Sequence, residues 1–523
     1  VLAETVVEAA RRFGHRPAVV AEGGWWLTYA DLHLQSDEAA VGLARLGVGE
    51  GDVVAMVLPA VPEHFVVYAA AAKLGAVTAA VNTRLAPAER LAVLAAARPK
   101  VVVTTPDLDP GGVRSAVLEP APSPAAVLGG IRVPGASPPE LVPDPGRPEA
   151  VVFTSGTTGT PKGAIFTGRQ LAFIVGTDVG PRWGGGGTVL AGPALAHLGP
   201  MTKLAGNLRR GVTQHLMATW RASEALRRIA ELGITSVGGV PTHLALMLGD
   251  PEFDRYDLSA VRAIVIGGGP ATPALLREAR SRFGAPLAVR YSCTEAGIGT
   301  GTALDDPEED AEVSVGRPQP GVSVRVVDRS GVRLPDGEVG EVVLVSPAVM
   351  GGYWHDPRAS AEVLLPGGGV RTGDLGRVDD RGRLRLAGRT RERYVRGGNN
   401  VYPVEVEAVL ADHPDVAAVA IVSRPDPVMG EVGVAAVVAR EGRPAPTVAA
   451  LRSFGQGRLA GYKLPDDVVV LPALPLTAVE KVDRRALEGL VREAEPIPGT
   501  PEGREPGGSG RPAPVTTSPR RGL

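Results

Sequence analysis

Residues 151–164 read Val-Val-Phe-Thr-Ser-Gly-Thr-Thr-Gly-Thr-Pro-Lys-Gly-Ala, and the interpretation of the whole chain turns on them. Val151, Val152 and Phe153 are an apolar run that predicts a buried strand. The run passes straight into Thr154, Ser155, Gly156, Thr157, Thr158, Gly159 and Thr160, then Pro161, Lys162 and Gly163. Glycines let successive N–H groups turn toward one point, and hydroxyls add donors without bulk. The result is a nest for an anion, most often phosphate. Lys162 adds one compact positive charge. The pattern is not a P-loop, because Pro161 stands where the second glycine should be. It also predicts no helix starting at the lysine. A glycine-threonine surface loop is the bland alternative, but such a loop rarely follows a buried strand and ends in Pro-Lys-Gly.

At 523 residues the chain is too long for one ordinary core and predicts at least two domains. An apolar content of 44% is globular, and a formal charge of −2 gives no reason to invoke nucleic acid. The lone Cys293 excludes a disulfide framework and a cysteine-based metal site. Residues 1–14 contain Glu4 and Glu8 and no long apolar run, so no signal peptide is expected. The most apolar region, 53–81, is cut by Pro59, Pro62, Glu63, His64 and Lys73, which argues against a membrane span. A cytoplasmic protein is expected. Only six lysines occur, so an ammonium at a motif position is a mild hint that this cation in particular is wanted.

Before the quoted stretch, strands and helices alternate: strand 53–58, helix 62–74, strand 77–81, helix 86–97, strand 101–105. That order implies βαβ units and a largely parallel sheet. Residues 106–148 are rich in Pro and Gly and read as a variable surface connection. Farther on, Ala263-Ile-Val-Ile266 is a strand ending in Gly267-Gly268-Gly269-Pro270, and Val289 and Arg290 lead to Tyr291-Ser-Cys-Thr294-Glu295. Residues 313–345 alternate apolar and polar, with turns at 329–331 and 335–337, and read as antiparallel hairpins.

The quoted stretch closely resembles the phosphate loop of the adenylate-forming superfamily, which includes acyl-CoA synthetases, adenylation domains and luciferase. Tyr291-Ser-Cys-Thr294-Glu295 resembles its Tyr-Gly-x-Thr-Glu, and Thr372-Gly-Asp374 its Thr-Gly-Asp. Leu476-Thr-Ala-Val-Glu480-Lys481-Val-Asp-Arg-Arg485 resembles its segment around the catalytic lysine. The likeness spans roughly residues 1–490, with the motifs in the family's order. It implies that residues 154–163 cradle phosphates, with Thr154, Ser155, Gly156, Thr157, Thr158, Gly159 and Lys162 as the contacts. Gly267, Gly268, Gly269 and Pro270 would pack on adenine and Tyr291 would stack on it. Thr294 would bond a phosphate, Glu295 would hold Mg²⁺, Asp374 would take the ribose hydroxyls, and Arg389 would approach ribose or phosphate. Lys481 would contact the carboxylate and the α-phosphate.

Leu190-Ala-Gly-Pro-Ala-Leu-Ala-His197-Leu-Gly resembles the family's acyl-pocket motif, with His197 as a pocket wall. Gly238, Gly239 and Gly299 would leave room for a bulky or long acid. An Asp that would hold an α-ammonium is missing, which argues against an amino-acid substrate. Gly388-Arg389-Thr390-Arg391 resembles the domain hinge, with Arg391 as the pivot. Gly397 and Gly398 belong to a loop that would face the site in the thioester-forming state.

The fold implied is mixed α/β. A large N-terminal domain of stacked βα sheets with a small β-barrel-like subdomain (1–390) would precede a smaller, mobile α+β C-terminal domain (391–495). A Pro/Gly-rich disordered tail (496–523) is expected to follow. The function implied is ATP-dependent activation of a carboxylic acid to acyl-AMP, then transfer to coenzyme A. The alternatives are loading of a carrier protein, or a homologue impaired in adenylation that performs mainly the thioester-forming half-reaction. Glu480, in place of the family's glycine before Lys481, is the feature behind the last.

Overall fold

The structure, a computed structural model, describes residues 1–154, 161–192, 195–390, 392–477 and 481–493. Strands Val53–Val57, Val77–Ala80 and Val101–Thr104 pair in parallel, with helices Pro62–Lys73 and Pro87–Ala97 as the crossovers. Every residue of Val53–Val57 is buried, as a strand covered on both faces requires. The helix Tyr29–Arg45 begins at Thr28, its N-cap. Thr28 Oγ1 accepts the Asp31 N–H at 3.0 Å and the Asp31 carboxylate accepts the Thr28 N–H at 2.9 Å, a reciprocal cap.

The sheet continues into Pro148–Thr154, which pairs antiparallel with Lys162–Thr167. The quoted stretch is therefore a hairpin, with Thr154 directly opposite Lys162 and no helix at the lysine. Gly163 lets the return strand pass, since a Cβ there would meet Val151 Cγ1 at 2.4 Å. Ser155, Gly156, Thr157, Thr158 and Gly159, the expected phosphate contacts between the two strands, lie outside the described residues.

The reading of 106–148 as a surface connection is corrected in part. Ser115–Val117 adds a parallel edge strand to Val101–Thr104, and Val127 and Leu128 are buried in the main core. Gly42 makes this docking possible, because a Cβ there would meet the Ile131 carbonyl oxygen at 1.8 Å. A three-residue strand is too short to show a period in sequence.

A second parallel group, Ser236–Gly239, Ala263–Gly267 and Leu287–Tyr291, has its own core, which includes Leu226, Ile264 and Leu276. The expected hairpins form a five-stranded antiparallel sheet. In it Gly369–Val378 lies between Gly340–Val345 and Leu364–Leu365 and also pairs with Leu384–Arg389. The helix Glu308–Val313 joins these two units through Asp310, whose carboxylate is fully buried. It accepts from Arg383, itself buried, and pairs with Arg317 at 3.2 Å and Arg381 at 3.4 Å.

Near the C-terminal end a separate sheet pairs Val416–Asp426 with Gly430–Ala439, which also pairs with Tyr394–Arg396 and Asp467–Val470. Helices Pro403–Leu410 and Val448–Gly455 supply Val406, Leu410 and Leu451 to one of its cores. The helix Arg484–Glu493 places Leu487 and Val491 in another. The sequence reading placed no element there. The expected tail, 496–523, lies outside the described residues. Among the described residues no helix is long and apolar enough to cross a membrane.

Removing one partner of a buried ion pair leaves an uncompensated charge and costs about 3–5 kcal/mol. Asp310→Ala is therefore expected to lower unfolding stability by about that amount in urea titrations. A loss below about 1 kcal/mol, the range of an exposed pair, would contradict this account of how the two units are joined.

Candidate active site

Three parallel strands end side by side. Gly239 pairs with Ile266, and Gly267 with Arg290, so Gly239, Gly267 and Tyr291 sit at the carboxyl ends of adjacent strands. In open α/β sheets that edge is where ligands bind. The backbone is packed closely there: a Cβ on Gly267 would meet the Arg290 carbonyl oxygen at 2.6 Å, and Gly268 has φ +82°. Gly269 runs past Pro241, at 3.6 Å from its Cδ to a built Cβ. Space requires glycine at Gly267 and the positive φ favours it at Gly268, whereas a Cβ on Gly269 would make only ordinary contacts.

Tyr291 is the last residue of its strand and 9% exposed. Its hydroxyl donates to Asp374 Oδ2 at 2.6 Å. Asp374 lies across the strand pair from Arg389, whose Nε donates to Asp374 Oδ1 at 2.8 Å. The Thr372 hydroxyl donates to the Val342 carbonyl and accepts the Asp374 N–H, which fixes the Thr-Gly-Asp turn. Three residues expected to meet the nucleoside thus form one bonded cluster. Burial and the Asp374 charge push the Tyr291 hydroxyl well above its ordinary pKa, so it remains a donor.

Lys481, from the C-terminal part, stands within the field of the same cluster. Its loop is closed by a bridge between Leu476 and Val482 and by Thr477 N–H donating to the Lys481 carbonyl at 2.7 Å. The side chain keeps solvent access, yet protein crowds its ammonium. Burial and the Arg389 guanidinium lower its pKa, and the Asp374 carboxylate opposes that shift. The C-terminal part is held to the large one by Arg277 and Asp412 at 3.6 Å, and by Gly388 passing Tyr402. Glu480 and the pivot candidate Arg391 lie outside the described residues.

Lys162 and Glu295 come together through Tyr353, which the sequence reading missed. The Lys162 Nζ stands 5.3 Å from the centre of the Tyr353 ring, and the Tyr353 hydroxyl donates to Glu295 Oε1 at 2.7 Å. Thr294 and Glu295 form a single 3₁₀ turn directly after the Tyr291 strand. Cys293, just before it, packs against the main core. Burial and the nearby Glu295 raise its thiol pKa well above the usual value, which suits a packing residue and not a nucleophile.

On the acid side, His197 stands at the N-cap position of the helix Leu198–Arg210 without a side-chain capping bond, and its Nε2 lies 3.3 Å from Asn82 Nδ2. Gly238 and Gly239 are exposed at the strand end. A Cβ on Gly239 would meet His243 at 3.0 Å, and the His243 ring stacks on Trp220 at 4.1 Å and 8°. Asn82, Trp220 and His243 were not anticipated, because no local motif carries them. Gly299 passes behind Tyr291, where a Cβ would meet the Tyr291 carbonyl oxygen at 2.4 Å, so its lack of a side chain serves backbone packing. Gly397 and Gly398 form a turn against Met429, with Gly397 N–H donating to the Met429 carbonyl.

Among the described residues no group of three or more His, Cys, Asp or Glu could hold a metal by itself. A lone carboxylate such as Glu295 still fits Mg²⁺, which takes one or two carboxylates plus substrate phosphates.

Residues 6–354 match the family described as AMP-binding enzyme, and residues 405–481 match the AMP-binding enzyme C-terminal domain. The chain is 33% identical to the fatty acid–[acyl-carrier-protein] ligase ScoC of Streptomyces coeruleorubidus, over 90% of this chain and 92% of that protein. It is 34% identical to a feruloyl-CoA synthase of an Amycolatopsis species, over 93% of this chain and 97% of that one. The solved structure of amide bond synthetase McbA from Marinactinospora thermotolerans has a TM-score of 0.83 at 30% identity, covering 94% of this chain and 100% of that one.

The charges around Lys481 predict its titration. After reductive ¹³C-methylation, with the resonance assigned by Lys481→Arg, Lys481 should titrate below an ordinary lysine, whose pKa is about 10.4. Asp374→Asn removes the carboxylate that raises the pKa and should lower it further; Arg389→Gln removes a repelling cation and should raise it. Titration of Lys481 at the ordinary lysine pKa of about 10.4 would show that it does not stand beside these groups.

Proposed function

We propose, from the premise that the chain belongs to the AMP-binding enzyme family, that one cleft activates a carboxylic acid and passes it to a thiol. The protein is an AMP-forming acid–thiol ligase of the acyl-CoA synthetase type. In the first step a carboxylate oxygen attacks the α-phosphorus of ATP, and the bond to pyrophosphate breaks. In the second a thiol sulfur attacks the acyl carbonyl of the mixed anhydride, and AMP leaves. The observation that carries this reading is the bonded Tyr291–Asp374–Arg389 cluster of the large part, whose Arg389 and Asp374 charges act on Lys481 of the C-terminal part.

The roles follow from charge and position. Asp374 offers a carboxylate to the ribose hydroxyls, in competition with its present donors. Gly267–Pro270 offers a flat, side-chain-free surface to the adenine, with Tyr291 beside it. Residues 154–163 and Thr294 hold the phosphates. Lys481 holds the attacking carboxylate and the α-phosphate in line, a positioning and electrostatic task. Glu295 would hold Mg²⁺, which when bound neutralises charge on the departing pyrophosphate. His197, Gly238 and Gly239 line the acid side. Rotation of a small domain, 391–495, on a large one, 1–390, about Arg391 then withdraws Lys481 and brings the Gly397–Gly398 turn to the cleft for thiol attack.

The thiol is coenzyme A on this reading, since the acid-side motif lacks the Asp that would favour an amino acid. The similarity to an acyl-carrier-protein ligase supports a free-standing carrier protein as the second acceptor to test. A panel of carboxylic acids with ATP and Mg²⁺ should give AMP and pyrophosphate with at least one acid, and an acyl thioester when coenzyme A is added. Thioester on a holo-carrier alone would replace coenzyme A as the acceptor. ADP as the product would contradict the reading.

Lys481→Ala separates the half-reactions. It should abolish acid-dependent pyrophosphate exchange and leave thioester formation from pre-made acyl-AMP close to wild type. Equal loss of both would contradict a role confined to the first step.

A further inference from the structure

The segment around Tyr353 is fastened to the phosphate-side hairpin along its whole outer edge. Ile165 N–H donates to the Gly352 carbonyl at 3.0 Å, Gly351 N–H to the Ile165 carbonyl at 2.9 Å, and Trp354 N–H to the Gly163 carbonyl at 2.7 Å. Tyr353 itself bridges Ala164, two residues after Lys162. Its N–H donates to Ser360 Oγ at 2.8 Å, from the helix Pro357–Val363, and its side chain is 7% exposed. A ring so fastened has little freedom to move. One end of it carries the Lys162 ammonium over its face and the other end donates to Glu295 Oε1. Met350 N–H donates to the Glu295 carbonyl at 2.9 Å, so the same segment also grips the Glu295 backbone.

The geometry points to Tyr353 as a positioning residue of the adenylation half-reaction, setting the Glu295 carboxylate and the Lys162 ammonium at a fixed separation along the phosphates. The inference rests on the proposed function, because it needs a polyphosphate between those two groups. The chemistry suits the task. A phenol is a hydrogen-bond donor joined rigidly to a π face, so it can orient an anion and seat a cation at once. A carboxylate held by one donor on one oxygen keeps a set direction for whatever the other oxygen meets. Phenylalanine retains the ring and loses only the donor, so the two contacts can be separated experimentally.

The test compares wild type, Tyr353→Phe and Tyr353→Leu by calorimetric binding of ATP with and without Mg²⁺, and by pyrophosphate exchange. Tyr353→Phe should weaken binding of Mg²⁺-ATP about tenfold, as loss of a hydrogen bond to a charged group does. Metal-free ATP should bind it as it binds wild type. In exchange, KM for Mg²⁺-ATP should rise while KM for the acid stays unchanged. Tyr353→Leu should weaken both forms of ATP, because Lys162 loses its seat. In a Glu295→Gln background Tyr353→Phe should add nothing further. Unchanged Mg²⁺-ATP binding by Tyr353→Phe, or equal weakening of both forms by it, would overturn the assignment. If the wild type binds ATP but no acid supports exchange, the proposed function fails and the binding comparison still judges Tyr353.

Discussion

A single carboxylate, Asp374, is the point on which the cleft depends. It is 6% exposed, and a buried carboxylate must find donors or lose its charge. Its donors come from two units that no local sequence signal joins: Tyr291 from the end of a parallel strand, and Arg389 from the neighbouring strand of an antiparallel sheet. The same charge raises the pKa of the Lys481 ammonium, which comes from a loop of the C-terminal part. Side chains from three parts of the chain thus answer to one unit of negative charge.

The cations around that spot are unequal in kind. Arg389 is bonded within the large part, and its planar guanidinium has a fixed direction. Lys481 is carried on a loop of the C-terminal part, and the charges acting on it include a repelling one. A cation delivered under partial repulsion is held better when anions lie between it and Arg389, and less well when they are gone. Lys162, by contrast, is anchored on a strand of the large sheet and seated on Tyr353. On the proposed reading this division makes physical sense. The cation needed for one step only is the one on the separate body, and the phosphate-side groups stay with the large one.

Much of this was legible in the sequence. The apolar run Val151–Phe153 and the strand–helix alternation of residues 53–105 carry strong local signals, in apolar period and breakers. The positions of Tyr291, Asp374 and Arg389 were readable too, because each sits in a short motif. What could not be read was their bonding, which depends on pairing across strands far apart in sequence. Tyr353, Asn82, Trp220 and His243 escaped for the same reason. A tyrosine in Gly-Gly-Tyr-Trp has no periodicity to declare it, and only its bridge to Ala164 places it over Lys162. The connection 106–148 misled in the opposite direction: its Pro and Gly content hid an edge strand and two buried side chains that dock where Gly42 leaves room.

The central claim is that this cleft holds a nucleotide joined to an acyl group, with Lys481 and Asp374 on the same molecule. A crystal structure with a non-hydrolysable acyl-sulfamoyl adenosine tests it most directly. The account predicts the ribose hydroxyls on Asp374, the adenine along Gly267–Pro270, and the Lys481 ammonium within hydrogen-bond reach of the linkage that replaces the phosphate. An analogue bound away from Asp374, or a Lys481 that contacts no part of it when the two bodies sit as they do here, would contradict it.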